Sequence, residues 1–254
     1  MRRILSIAIN TFRSAIRERI LYAVLGFAVL YLLFTIFLGT IALKDLPMIK
    51  SFGLAGIYFF GLIITIFLAS SVIVKEMETR TLYFVLSKPV SRLEFILGKF
   101  LGLLLAVAVT TLVMLVIYLG VVAYQGGGFD WGALLATLFE LLEIALIIAF
   151  SIFISSFSTS LSATIYTTIV VFVGHLLCSL LDNAKREHIS GWAYSLLSFV
   201  YYVLPNLEKF NLRNLVVHNL AIPLGSLLAA AGYGLVYIAL LLYVSYEIFK
   251  HKEL

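Results

Sequence analysis

Six stretches of this chain, near residues 20–43, 52–74, 95–124, 133–155, 161–181 and 222–249, are each apolar over a length that crosses a lipid bilayer. A hydrocarbon core of roughly 30 Å takes about 20 helical residues, and backbone polar groups inside it must be satisfied internally. The runs are continuous and lack the period-two polarity of barrel strands. The expected fold class is therefore all-α integral membrane, with six transmembrane helices. Hydrophobic residues make up 63% of the 254 and charged ones 12%, at a mean hydropathy of +1.11, values outside those of soluble domains. Too little chain remains between the spans for a second folding unit, so residues 1–254 are expected to form a single domain without a soluble catalytic part.

Lys and Arg near the span ends set the orientation. An even number of crossings puts both termini on one side. That side collects twelve of the 18 basic residues: Arg2, Arg3, Arg13, Arg17, Arg19, Lys75, Arg80, Lys88, Arg92, Lys99, Lys250 and Lys252. Lys44, Lys50, Lys185, Arg186, Lys209 and Arg213 fall opposite, four of them in one long connection. Both termini are thus expected in the cytoplasm, with the chain in the cell (inner) membrane. The net charge of +5 suits the anionic headgroups of a lipid bilayer, and no nucleic acid is implied as a partner.

The N-terminal run is too long for the apolar region of a cleaved leader and is read as a retained first span. Ahead of it, Arg3, Ser6, Asn10, Arg13 and Arg17 recur at intervals of three and four, while Ile4, Leu5, Ala8, Phe12 and Ile16 form the other face. That periodicity predicts an amphipathic interfacial helix over residues 1–19 that turns into the membrane near Arg19.

The strongly charged break between the second and third spans reads KEMETRTLYFVLSKPVSRLEFILGKFLG, from Lys75 to Gly102. Glu76, Glu78 and Arg80 cluster just past the second span. Leu82, Tyr83, Val85 and Leu86 give a short helix one apolar side, and Pro89, which has no backbone donor, ends it. Ser91 and Glu94 stand three apart, as in a capping box that restarts the next helix. Two bends and an exposed apolar edge over residues 75–94 point to a cytoplasmic surface built for a partner. The chain carries no phosphate-binding loop of its own: Gly98-Lys99 is followed by Phe100 and lacks the glycine-rich approach that such a loop needs.

At Glu76, Glu78, Leu82, Leu86, Ser87, Pro89, Val90, Ser91, Arg92, Gly98 and Lys99 the chain resembles the permease subunits of ABC-2 type exporters. Six spans, an interfacial N-terminal helix and a long connection before the last span fit the same pattern over essentially the whole length. Leu204, Pro205, Asn206, Phe210, Asn211 and Leu212 resemble a subgroup associated with multicopper enzyme maturation. The resemblance implies a type-II ABC exporter (ABC-2) permease architecture, in which Glu76, Glu78, Arg80, Leu82, Tyr83, Leu86, Pro89 and Arg92 couple the chain to a separate ABC-type ATPase subunit. It further implies that ATP and Mg are held by that ATPase and no cofactor by this chain. A second permease protomer, as a homodimer, is the expected membrane partner.

Within the spans, Glu140 and Glu143 are about one turn apart on one face of the fourth, and His175 lies in the fifth at a similar depth. Ionisable groups at membrane depth face a bundle interior or a water-filled cavity. The three are therefore candidates for the translocation path, or for a polar contact that fixes helix packing. His175 and Cys178 are three apart, but two donors fall short of a metal site, and none is assigned. Cys178 is the only cysteine, so no intrachain disulfide can form.

The remaining connections are read by local chemistry. Gly126 to Gly128 form a turn, and Asp130 is placed to cap the fourth span beside Trp131, which with Tyr124 belongs to an interfacial aromatic belt. Residues 182–219, rich in Trp192, Tyr194, Phe199, Tyr201 and Tyr202 and broken at Pro205, are expected as an extracytoplasmic interfacial or re-entrant segment over the mouth of the bundle. Pro223 suits the start of the sixth span, and Ala229 to Gly234 suit a close helix contact. Membrane enzymes are disfavoured, because no zinc-protease helix motif and no nucleophile elbow occur. The alternative to an ATP-driven permease is a proton-coupled secondary transporter or channel that uses Glu140, Glu143 and His175.

Overall fold

The computed structural model describes residues 2–41, 45–78, 91–186 and 191–251. In chain order these form α1 (Arg2–Ile16), α2 (Arg19–Ile41), α3 (Leu46–Glu78), α4 (Arg92–Tyr124), α5 (Trp131–Ser155), α6 (Ser160–Arg186) and α7 (Trp192–Val203). A 3-10 turn (Leu207–Phe210), α8 (Arg213–Val217) and α9 (Leu224–His251) complete the chain. Six of these, α2, α3, α4, α5, α6 and α9, are long and apolar enough to cross a membrane. They match the six apolar runs of the sequence, and six crossings return the C-terminus to the side of the bundle on which the chain begins.

The helices outrun their apolar cores. α3 begins at Leu46, six residues before the hydropathy rises, because Pro47 falls in the first turn, where a missing N–H costs no hydrogen bond. At its other end α3 continues through Lys75, Glu76 and Glu78. Hydropathy marks contact with hydrocarbon, whereas backbone bonding carries a helix on into polar surroundings. Side chains of residues 71–78 are not described, and Arg80, Leu82, Tyr83, Leu86 and Pro89 lie outside the described residues. α4 restarts at Ser91 with both halves of a capping box: the Glu94 N–H donates to Ser91 Oγ at 3.2 Å, and the Ser91 N–H donates to Glu94 Oε2 at 2.9 Å.

α5 is the central helix and the most enclosed of the six, with α9, α3, α4 and α6 packed against it and α2 lying outside on α3 and α4. Ile57 and Ile64 of α3, Leu103 and Ala106 of α4, and Ile144, Ile148 and Ile152 of α5 form the middle of the core. Lipid tails are as apolar as these side chains, so association rests on close packing rather than on exclusion of water. That requirement is clearest where α1 docks on α4, the most extensive helix pairing among the described residues. Ile7, Ala8 and Thr11 lie directly over Gly98 and Gly102, so close that a Cβ on Gly102 would sit 2.5 Å from the Ala8 carbonyl oxygen. Ala8, Thr11 and Ala15 are buried in this contact, while Leu5 and Ile9 stay exposed. The contact is thus built on small residues, with Ala8 of the expected apolar face buried in it and Phe12 packed against the core, while Leu5 of that face stays exposed.

At the opposite end of the bundle Asp130 joins three helices. Its carboxylate accepts the Ala133 N–H at 3.2 Å as the cap of α5, accepts the Tyr118 hydroxyl of α4 at 3.1 Å, and pairs with Lys50 of α3 at 3.0 Å. Asp130→Ala removes the cap and leaves the buried Tyr118 hydroxyl without its acceptor, a loss of about 2–4 kcal/mol. Thermal unfolding in detergent should fall by several degrees, and Asp130→Asn, which keeps an oxygen for the cap, should lose less.

Candidate functional site

The polar residues of the bundle interior converge where α3, α5 and α6 meet the segment between α7 and α9. After α7 the chain turns at Leu204 and Pro205, and the 3-10 turn pushes inward until Leu207 and Phe210 are wholly buried. Gly174 of α6 makes room: a Cβ there would meet the Pro205 carbonyl oxygen and Leu207 Cγ, both at 2.9 Å. Asn206 pins the entry. Its N–H donates to the Tyr233 hydroxyl of α9 at 2.9 Å, and its side-chain oxygen accepts the Glu208 N–H at 3.1 Å. The segment therefore reaches the level of His175 in the bundle.

Six side chains meet there, from α3, α5, α6, the 3-10 turn, the residue that follows it and α8. Glu143 Oε1 of α5 accepts the Tyr58 hydroxyl of α3 at 2.8 Å and pairs with His175 Nε2 of α6 at 2.9 Å. Tyr58 and His175 also touch each other at that oxygen. On the other side of the ring, His175 Nδ1 faces Glu208 Oε2 at 3.3 Å. A neutral imidazole has one N–H, so only the doubly protonated ring donates to both carboxylates at once. Glu208 Oε1 accepts the Asn211 amide at 2.9 Å, Asn211 Oδ1 accepts Arg213 Nε at 3.1 Å, and the Arg213 guanidinium lies over the Tyr58 ring at 4.0 Å. The result is a closed polar loop that ties the 3-10 turn to α3, α5 and α6.

Glu140 stands beside this loop and outside it. It is buried, its Oε1 faces Gly61 of α3 near Thr111 of α4, and among the described residues that oxygen has no hydrogen-bond partner; the same holds for Glu143 Oε2. Two carboxylate oxygens without donors, one turn apart in the core of the bundle, can take a proton, a water or a donor group of a passing molecule.

Of the residues singled out from sequence, Glu143 and His175 are in direct contact, and Glu140 is adjacent without a bond to either. Glu76 and Glu78 lie in the last turn of α3. Arg92 opens α4 and donates to the carbonyl oxygens of Phe249 and Lys250, the latter at 2.8 Å, so it closes the C-terminal end of α9. Cys178 turns to Asp182. Among the described residues no three His, Cys, Asp or Glu side chains converge as metal ligands would. Tyr58, Glu208, Asn211 and Arg213 had not been singled out for this site. The signal for three of them was present: Asn206, Glu208, Asn211 and Arg213 give a dense polar run in an otherwise aromatic connection.

Glu208 lies outside the membrane-spanning helices, and its carboxyl is held below the usual carboxylate range. The largest cause is the hydrogen bond from His175, which outweighs desolvation, and Asn211 and the positive charges of His175 and Arg213 add to it. A carboxylate depressed in the folded state contributes stability that is complete above its unfolded value of about 4.3 and is lost as pH falls through the lower folded one. Glu208→Gln should therefore lower the unfolding temperature at pH 7, and the gap to the unsubstituted protein should close as pH drops below about 4.

A family model described as ABC-2 family transporter protein matches residues 5–254 of the chain. No curated protein matches it.

Proposed function

Since the chain belongs to the ABC-2 transporter family and is a multi-pass membrane permease, we propose that it forms the membrane half of an ATP-driven exporter, moved by a separate ATPase subunit docked on the charged break between α3 and α4. One observation carries this reading. α3 runs unbroken from the bundle core through Lys75 to Glu78, and α4 begins at a fully capped Ser91. Both helices that flank the break thus reach it as continuous helix, and a push delivered there moves both as rigid bodies. α3 carries Tyr58 and α4 packs on α5, so the motion reaches the polar loop around Glu143.

In this reading Glu76, Glu78, Arg80, Leu82, Tyr83, Leu86 and Pro89 make the docking surface, on the cytoplasmic side with both termini. Arg92 holds the exit of the break against the end of α9. ATP and Mg belong to the ATPase. Two permease chains, as a homodimer in the cell membrane, enclose the path. Glu140, Glu143 and His175 line it, and the re-entrant segment closes it from outside. The chain Glu143–His175–Glu208, which runs from the bundle core toward the surface, favours a second reading, a proton-coupled transporter that needs no ATPase. Vesicles holding the permease alone under a pH gradient, compared with vesicles holding permease, ATPase and ATP, separate the two: export only in the second set supports the first reading.

A path role and a packing role for the carboxylates predict different outcomes. Glu143 has two partners to lose, so Glu143→Ala should lower stability by about 3 kcal/mol by leaving the Tyr58 hydroxyl and His175 Nε2 without their carboxylate acceptor. Glu140 Oε1 has none, so Glu140→Gln should leave the unfolding temperature nearly unchanged while lowering ATP-dependent transport.

A further inference from the structure

We propose that Arg213 and the aromatic cavity in front of it form a binding site for the anionic group of an amphiphile, a carboxylate or a phosphate carried on an apolar body. The cavity, of about 430 Å³, lies between α2 and α3 and is lined by Tyr31, Ala55, Gly56, Tyr58, Phe60 and Arg213. Tyr58 lies six residues into the apolar run of α3 that starts at Phe52, about 9 Å along the helix, so the guanidinium stacked on its ring sits within the apolar layer of the bundle. A cation at that depth is costly unless its charge is met. Yet Arg213 makes no ion pair within 4 Å among the described residues. Its Nε is taken by Asn211 Oδ1, its flat face is taken by Tyr58, and its two terminal amino groups have no protein acceptor there.

Those amino groups form one edge of a planar fork, the geometry that holds a carboxylate or phosphate through paired hydrogen bonds. The walls of the cavity are apolar and aromatic. Tyr31 is fixed by its bond to the Phe52 carbonyl oxygen at 3.2 Å and packs edge-on against Phe60. Beside the opening, Phe59 is exposed on the lipid-facing surface, so an amphiphile can enter sideways from the bilayer with its charged end first. The occupant would rest on the same Arg213 and Tyr58 that close the polar loop, which links occupancy of the cavity to the position of the 3-10 turn. None of this depends on the docking of an ATPase, and the test uses the permease alone.

The full-length protein, stripped of lipid in a neutral detergent, is titrated separately with oleate, methyl oleate and phosphatidylglycerol, and the bound amphiphile is counted per chain by native mass spectrometry. The expected result is one anionic amphiphile per chain, held at least tenfold more tightly than methyl oleate. Arg213→Gln should abolish that preference, and Arg213→Lys, which keeps the charge without the fork, should retain only part of it. Ala55→Phe fills the cavity while leaving Arg213 in place, and should block binding with little change in thermal unfolding. Preference for oleate over phosphatidylglycerol identifies a carboxylate ligand, and the reverse identifies a lipid phosphate. Equal binding of oleate and methyl oleate by the unsubstituted protein would overturn the proposal. So would undiminished anion binding by Ala55→Phe, which decides the matter even if Arg213→Gln does not fold.

Discussion

Leu82→Asp is expected to reduce permease-stimulated ATP hydrolysis by the partner subunit at least tenfold and to strip that subunit from the purified complex. In the proposed docking surface Leu82 is an apolar anchor between the charges of Glu78 and Arg80 on one side and Pro89 on the other. Truncating a central anchor in a protein interface costs about 2 kcal/mol or more, and a carboxylate placed there adds the penalty of burying a charge without a partner. Since about 1.4 kcal/mol is a factor of ten, a loss of 2–4 kcal/mol is about 30- to 1,000-fold in affinity. Reversing a rim charge, as in Glu78→Arg or Arg80→Glu, should cost less and vary with salt. The substitution falls in the charged break and in none of the six apolar runs, so the unfolding temperature of the permease itself should not change. That invariance distinguishes lost docking from a damaged fold.

Gly102→Leu is expected to have the largest effect on the fold. A Cβ at this position meets the Ala8 carbonyl oxygen at 2.5 Å and Thr11 Cβ at 2.6 Å. Backbone cannot swing aside as a long side chain can, so α1 must lift from α4. The buried contacts of Ala8, Thr11 and Ala15 are lost together, at a cost of about 3 kcal/mol. Thermal unfolding in detergent should drop sharply, and trypsin should gain access to Arg13 and Arg17. Gly120→Leu is the matched control, because Gly120 in the same helix has nothing within 4 Å of its Cβ position and should tolerate the change.

The six crossings were legible because each is a long apolar run, and the two caps were legible because capping is local chemistry. Ser91 with Glu94, and Asp130 with Ala133, need no information from elsewhere in the chain. The extension of α3 to Leu46 and Glu78 was not, since hydropathy ends before hydrogen bonding does. For α1 the polar face was plain, but the buried face depends on Gly98 and Gly102, some ninety residues away, which admit only small partners. The site was half legible. Glu143 and His175 stand out as charges in apolar spans, and helical spacing placed them at similar depth. Tyr58 looks like any membrane-belt tyrosine. Glu208 and Arg213 belong to a connection whose inward course is set by Gly174 and by the pinning of Asn206 to Tyr233.

The central claim is that the chain is driven from the charged break between α3 and α4 by an ATPase that it does not itself contain. A photoreactive amino acid at position 82, activated in intact cells, tests this most directly. The expected result is one covalent adduct, between the permease and a chain bearing a glycine-rich phosphate-binding loop, that is lost when Glu78→Arg is present. An adduct with no nucleotide-binding chain, together with labelling of position 82 by a membrane-impermeant reagent added outside the cell, would contradict it.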